Sequence, residues 1–344
     1  MKKVFAVAAA LALLSLTIAA QAAITIDTVA VGNAHNAADT ATGYGSVGYN
    51  YNIGEYEVTA AQYTDFLNNK AKSDPYGLYN TSMGDPSVSW GCNIQRSGGG
   101  IVANPYVYTV ADEWANRPVN YVSYWDSLRF ANWLGNGQGI GDTETGAYTI
   151  PSGYNGDDGR IIQRNTGWTG WAVTSEDEWY KAAYYDPNKP RQGGGTQAGY
   201  WLSPTQSDAA PLRNVADASG NNANYYDNGY LIGSPYYRTN VGEFQNSDSF
   251  YGTFDQGGNV WEWNEAIVFQ DSNHAIRGLR GGSFIISDVY LLQASYRNSI
   301  YASYPSIETS DIGFRVSEVV PEPSSIIALA GGLISLLGIR RRRA

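Results

Sequence analysis

The chain has 344 residues with a formal charge of −10, 43% hydrophobic residues and a single cysteine, Cys92. One thiol excludes an internal disulfide, and an acidic surface repels polyanions, which excludes nucleic acid as a partner. Thirty-nine glycines, 27 tyrosines and 10 tryptophans describe a turn-rich chain held by large amphipathic rings.

Lys2 and Lys3 precede an apolar run from Val4 to Leu14, and the stretch ends in Ala20-Gln21-Ala22. This is the pattern of a secretory signal peptide over residues 1–22, cleaved after Ala22 by signal peptidase. The alternative, a membrane anchor, needs about 20 apolar residues and a stop-transfer flank. A lead-in segment over 23–50 precedes a single domain expected at 51–317, without internal repeats or a long linker.

Three helices are expected. Thr59 caps the first, running to about Lys70, with Tyr63, Phe66 and Leu67 on one face. Ser123 and Asp126 have capping-box spacing before "SYWDSLRFANWLG", where Gly135 is a natural stop, and Ser175 with Glu178 repeats that relation in "SEDEWYKAAYYDP". Short strands and Gly/Asn/Asp-rich loops fill the rest, including a long loop from Ser73 to Asn116. The fold class is α+β, irregular, with little regular secondary structure.

At residues 255–265 the chain reads "DQGGNVWEWNE". Strand alternation aims Trp261 and Trp263 one way and Glu262 the other. A carboxylate so flanked needs either a cation or a buried ion-pair partner. After the domain, segment 318–344 holds Pro321-Glu322-Pro323, an apolar run from Ile326 to Ile339 and Arg340 to Arg343. That order resembles the PEP-CTERM sorting signal of Gram-negative bacteria. The resemblance implies processing by an exosortase, transient inner-membrane anchoring through the C-terminal helix, and an exported protein that ends at the cell surface or outside the cell. Setting aside Lys2, Lys3, Arg340 to Arg343 and Glu322 takes the 22 basic residues to 16 and the 32 acidic ones to 31, a formal −15 for residues 23–319.

The segments "YEVTAAQYTDFLN", "RPVNYVSYWDSLRFANWL", "TSEDEWYKAA", "GGNVWEWNE", "RGLRGGSF" and "DIGFRV" occur in the order and spacing of the formylglycine-generating enzyme, or sulfatase-modifying factor, family. The resemblance implies a variant of the C-type-lectin-like fold. It also implies either copper-dependent oxidation of a sulfatase cysteine, iron-dependent sulfoxide synthesis, or no activity. The oxidases bind Cu(I) through two thiolates, which carboxylates or amides cannot replace. Aligning Arg297 with the family's arginine puts Val289 and Ala294 at the thiol positions, so both copper ligands are absent. Cys92 lies far upstream, and the two histidines, His35 and His274, are too few for the iron branch. No copper or iron is therefore expected, and no catalytic residue is assigned.

The family also implies structural Ca²⁺, a hard cation that takes six to eight oxygens. Carried over position by position, its ligands are Asp255, the carbonyls of Gly258 and Val260, and Glu262. A second site is matched in its first half by Asn224 and the Tyr225 carbonyl, and only loosely in its second half by Asn228 or Tyr230. The expected function is a non-catalytic, calcium-stabilised surface module that binds a glycan or matrix component through an aromatic face such as "SPYYRTN" (234–240) or "SIYASYPS" (299–306). The alternative is an oxidoreductase of the same superfamily with altered metal ligands.

Overall fold

The computed structural model describes residues 23–320 except 152, 192–193 and 299–303. The expected signal peptide and the Pro321-Glu322-Pro323 tail lie outside the described residues. In chain order the elements are β1 (Thr28–Val31), β2 (Tyr51–Gly54), α1 (Ala60–Lys70), β3 (Gln95–Ser97), β4 (Val107–Thr109), α2 (Asp112–Ala115), α3 (Tyr124–Gly135), β5 (Gly170–Val173), α4 (Glu176–Tyr184), β6 (Tyr185–Asp186), β7 (Gly199–Tyr200), β8 (Trp261–Gln270), β9 (Ala275–Arg280), β10 (Ile312–Phe314) and β11 (Val316–Val319). Long irregular loops join them, and the fold is an irregular α+β arrangement.

All three expected helices start at their expected caps. Thr59, Ser123 and Ser175 each close a capping box with the residue three positions on, Gln62, Asp126 and Glu178. These local bonds satisfy amides that a helix otherwise leaves open. The expected loop from Ser73 to Asn116 contains the β3–β4 hairpin and the single-turn α2. Pairing between strands of three residues leaves too short an alternation to read in the sequence.

A four-stranded sheet runs β1-β2-β11-β5, and a three-stranded sheet runs β10-β8-β9. The segment before residue 51 is thus part of the domain, because β1 pairs antiparallel with β2 from Thr28–Gly54 to Val31–Tyr51. Val31 and Val47 are buried with Ile53 in one cluster, and Lys181 Nζ donates to the Asn33 carbonyl at 2.9 Å. The expected boundary at 51 therefore falls inside the fold.

The main core joins α1 and α3 to both sheets through Tyr63, Phe66, Phe130, Trp133, Val173, Trp263, Phe314 and Val316. Phe130 touches Phe66 at 5.3 Å and Phe314 at the same centroid distance, both edge to face. Such offset geometry suits the ring quadrupole. The chain passes from β10 in the three-stranded sheet to β11 in the four-stranded sheet through the single residue Arg315, which is fully buried. Among the described residues no helix is long and apolar enough to cross a membrane.

Candidate functional site

Strand β8 carries Trp261, Glu262 and Trp263 into the interior, all three buried. Strand alternation separates them as expected. Trp263 Nε1 donates to the Val122 carbonyl at 3.0 Å, while Trp261 packs on Tyr296 with ring centroids 5.9 Å apart. On the opposite face, Glu262 Oε2 accepts from Arg315 Nε at 2.6 Å and from Trp179 Nε1 at 2.7 Å. Its Oε1 accepts from Arg315 Nη2 at 2.7 Å. The geometry is a bidentate pair of fully buried partners, so the charge of Glu262 is already answered by a guanidinium. Arg315 also donates to the carbonyls of Gly54 and Phe254, each at 2.9 Å. It ties β2, β8 and the 254–262 turn together.

Two further carboxyls lie in the field of this pair. Asp255, at φ 58°, accepts from the Gly242 amide at 2.6 Å. Burial pushes its carboxyl up to about 6, against the opposing pull of that amide and Arg315. Glu57 is 1% exposed, and neither of its oxygens has a partner among the described residues. Burial, then the nearby Asp255 and Glu262, hold it well above the usual carboxylate range. Two buried carboxyls and the half-buried Asp255 facing one guanidinium leave negative charge that a proton or a cation has to neutralise.

Asn224 and Gly258 meet elsewhere in this knot. They form an isolated parallel bridge, and the Asn259 amide donates to the Asn224 carbonyl at 2.8 Å. Gly258 sits at φ 90°, and a Cβ there would lie 2.4 Å from the Asn224 carbonyl oxygen. Only glycine fits this approach. Asn259 Oδ1 accepts from Asn224 Nδ2 and from both the amide and hydroxyl of Thr239. Asn224 Oδ1, however, is buried without a partner. Tyr225 is buried beside it, with its hydroxyl on the Pro211 carbonyl. Val260 is fully buried.

The residues expected to hold calcium thus divide into three settings: Glu262 on Arg315, Asp255 beside Glu57, and Asn224 with Tyr225 against Gly258. Among the described residues no group of three or more His, Cys, Asp or Glu side chains is placed to hold a metal ion. A calcium ion here would have to draw on carbonyl and amide oxygens. The orphaned Asn224 Oδ1 is a donor atom of that kind; the Arg315-bound Glu262 fits the ion less well. Sequence reasoning missed Glu57 and Arg315 as members of the cluster, although both stand inside quoted motifs, "YEVT" and "GFRV".

The positions matched to the copper thiols are filled by packing. Ala294 is 2% exposed in a cluster with Trp179, Tyr180 and Tyr184, and Val289 begins a 3₁₀ turn. Beside them Glu176 is gripped twice, by Arg280 Nε at 2.9 Å and by Arg297 Nη2 at 2.6 Å. Both guanidinium groups also lie over the Tyr44 ring, at 4.9 and 5.2 Å. Cys92 belongs to a different cluster, buried in the main core, where burial pushes its thiol up. A buried thiol held protonated is a poor metal ligand. His35 is exposed, and His274 lies 3.4 Å from Asp271 in an open turn.

The model of the sulfatase-modifying factor enzyme 1-like domain matches residues 24–319. The chain belongs to this family. A PEP-CTERM protein-sorting motif matches residues 319–343, which implies an exported protein processed by an exosortase. Among solved structures, this family member resembles CarF with a TM-score of 0.52 and 20% identity, over 86% of this chain and 99% of that one. It is also similar to Treponema denticola variable protein 1 (TM-score 0.46, 16% identity, 85% and 95% covered) and to PvdO from Pseudomonas aeruginosa (0.42, 16%, 85% and 92%). At these identities the likeness concerns the fold. No curated protein matches the chain.

Proposed function

We propose that this family member is an exported, non-catalytic binding module. The observation that carries the reading is the fate of the thiol pair: Ala294 is packed among Trp179, Tyr180 and Tyr184, and the one cysteine of the chain is buried in the main core. A soft copper centre requires thiolate donors, and none is available where the family places them. The remaining motifs serve packing and ion pairing, as the Glu262–Arg315 and Glu176–Arg297 pairs illustrate.

Calcium is the second part of the proposal. Asp255, the Gly258 and Val260 carbonyls and Glu262 are the oxygens that would hold it at the first site, and Asn224 with the Tyr225 carbonyl would contribute to a second. The unpartnered Asn224 Oδ1 supports a hard cation at the second site, and the unpartnered Glu57 carboxyl beside Asp255 supports one at the first. When bound, the ion would neutralise buried carboxylates and brace loops that have no disulfide to hold them. Signal peptidase removes segment 1–22, the C-terminal segment anchors the protein transiently in the inner membrane, and an exosortase then releases it to the surface or the medium.

The test combines purified residues 23–319 with Cu(I) and a peptide carrying the sulfatase motif, followed by mass spectrometry of the peptide. The expected result is unaltered cysteine, with calcium but neither stoichiometric copper nor iron by elemental analysis. Turnover of the peptide, or a stoichiometric redox metal, would favour the oxidoreductase reading instead.

A further inference from the structure

Four aromatic rings outside the hydrophobic clusters meet at one place on the surface. Tyr230 lies 4.9 Å from Tyr237 and 5.1 Å from Tyr226, both edge to face, and Trp90 lies 5.7 Å from Tyr237. Each of the four is half-buried, and three of them rest on Phe284, which is fully buried. Phe284 thus provides an apolar floor for three of the rings, and all four remain partly exposed.

The platform is rigid. Trp90 and Tyr237 occupy the left-handed backbone region, at φ 57° and 56°, a conformation that costs bulky residues energy and persists only where the surroundings impose it. Fully buried Arg238 imposes it at Trp90, donating to the Trp90 carbonyl at 2.7 Å and to Gly91 at 3.0 Å. Asn120 adds a bond to the Trp90 carbonyl at 2.8 Å, and Asn224 holds the Tyr237 carbonyl at 3.0 Å. Arg213 clamps the loop carrying Tyr226 and Tyr230 through the Asp227 and Gly229 carbonyls, at 2.7 and 2.8 Å.

The polar tips of these rings are unspent. Interior tyrosines commit their hydroxyls to backbone carbonyls, as Tyr63 does to Leu78, Tyr79 to Ile94 and Tyr108 to Ala71. The hydroxyls of Tyr226, Tyr230 and Tyr237 and the Trp90 indole N–H make no hydrogen bond to a described residue. Exposed Asp227 and Asn228 stand beside them.

We infer that Trp90, Tyr226, Tyr230 and Tyr237 form a binding platform for a neutral saccharide. The inference rests on the binding-module reading and gives it a ligand class. Sugar rings offer a C–H face that packs on aromatic rings and a rim of hydroxyls that both donate and accept, which matches fixed rings with open donors. Preorganisation lowers the ordering cost of binding. The formal −15 of the exported body disfavours uronate-bearing or sulfated polymers.

The experiment is calorimetric titration of residues 23–319 with three probes: a neutral hexose oligosaccharide, an N-acetylhexosamine oligosaccharide and a uronate-containing one. Wild type should bind at least one neutral probe and not the uronate. Trp90→Ala should weaken that binding at least tenfold. Tyr230→Phe and Tyr237→Phe, which keep ring and backbone and remove only a hydroxyl, should weaken it several-fold with unchanged melting temperatures. Tyr290→Phe, at an exposed tyrosine whose ring makes no contact with a platform ring, should change nothing. Neutral-saccharide binding that survives all three platform substitutions would overturn this site while leaving the binding-module reading standing. Absence of binding to both neutral probes, or preference for the uronate, would overturn the saccharide assignment; the parent reading is judged separately by the copper and peptide assay.

Discussion

Replacing Arg315 by methionine removes a guanidinium while keeping most of the apolar stem. Glu262 would keep only the Trp179 Nε1 donor at 2.7 Å, with no countercharge, in a setting where both partners of the original pair are 0% exposed. Breaking such a buried pair from one side costs about 3–5 kcal/mol. The Gly54 and Phe254 carbonyls also lose charged donors at 2.9 Å, each bond worth about 1 kcal/mol net. The sum is about 5–7 kcal/mol, or a fall in melting temperature of about 10–14 °C at roughly 2 °C per kcal/mol for a large domain. Glu262→Gln keeps an acceptor for Trp179 but strands the Arg315 charge, so it should also destabilise strongly. The double variant Glu262→Gln/Arg315→Met should cost much less than the two single losses added together, because each single change leaves a buried charge unpaired. Urea denaturation of the three variants and wild type in chelator measures the coupling. A loss below about 1 kcal/mol for Arg315→Met, or additive single losses, would refute the view that Arg315 is what makes Glu262 tolerable.

Chelation should lower the melting temperature of wild type and added Ca²⁺ should restore it, with Asn224→Ala blunting the response; a melt indifferent to chelator would remove calcium from the proposal. Gly258→Ala should destabilise by about 2 kcal/mol or more in urea, since a Cβ would strike the Asn224 carbonyl at 2.4 Å on a backbone at φ 90°. Burial, and then the facing Asp126, hold Glu308 at about 8 instead of 4.5, while burial raises Asp126 from 3.8 to about 6. The folded state therefore binds more protons than the unfolded one between these limits, and stability should fall as pH rises from about 4 to about 8. Glu308→Gln should flatten that slope in pH-resolved thermal melts. In the native host, replacing Pro321-Glu322-Pro323 by alanines should leave the protein membrane-bound, and intact mass should show the arginine cluster retained only in that variant.

The helix starts at Thr59, Ser123 and Ser175 could be read directly, because a capping box is a bond between residues three apart and owes nothing to the rest of the fold. Alternation likewise told that Trp261 and Trp263 turn away from Glu262. The absence of a thiol pair was equally plain, since a chain with one cysteine cannot supply two thiolates. What Glu262 turns toward was not legible, because Arg315 is 53 residues on and reaches it only when β10 pairs with β8 in parallel. Glu57 looked like any acid in a helix lead-in; tertiary packing alone buried it with no partner. The lead-in before residue 51 gave no periodic signal in its short strand, yet pairing with β2 made it part of the sheet. The aromatic platform is likewise a tertiary product. Tyr237 stood in a quoted aromatic stretch, but its neighbour Tyr236 packs on Trp114 at 4.9 Å instead. Trp90, Tyr226, Tyr230 and Phe284 come from three other segments, and only long-range packing brings side chains so distant in sequence to one surface.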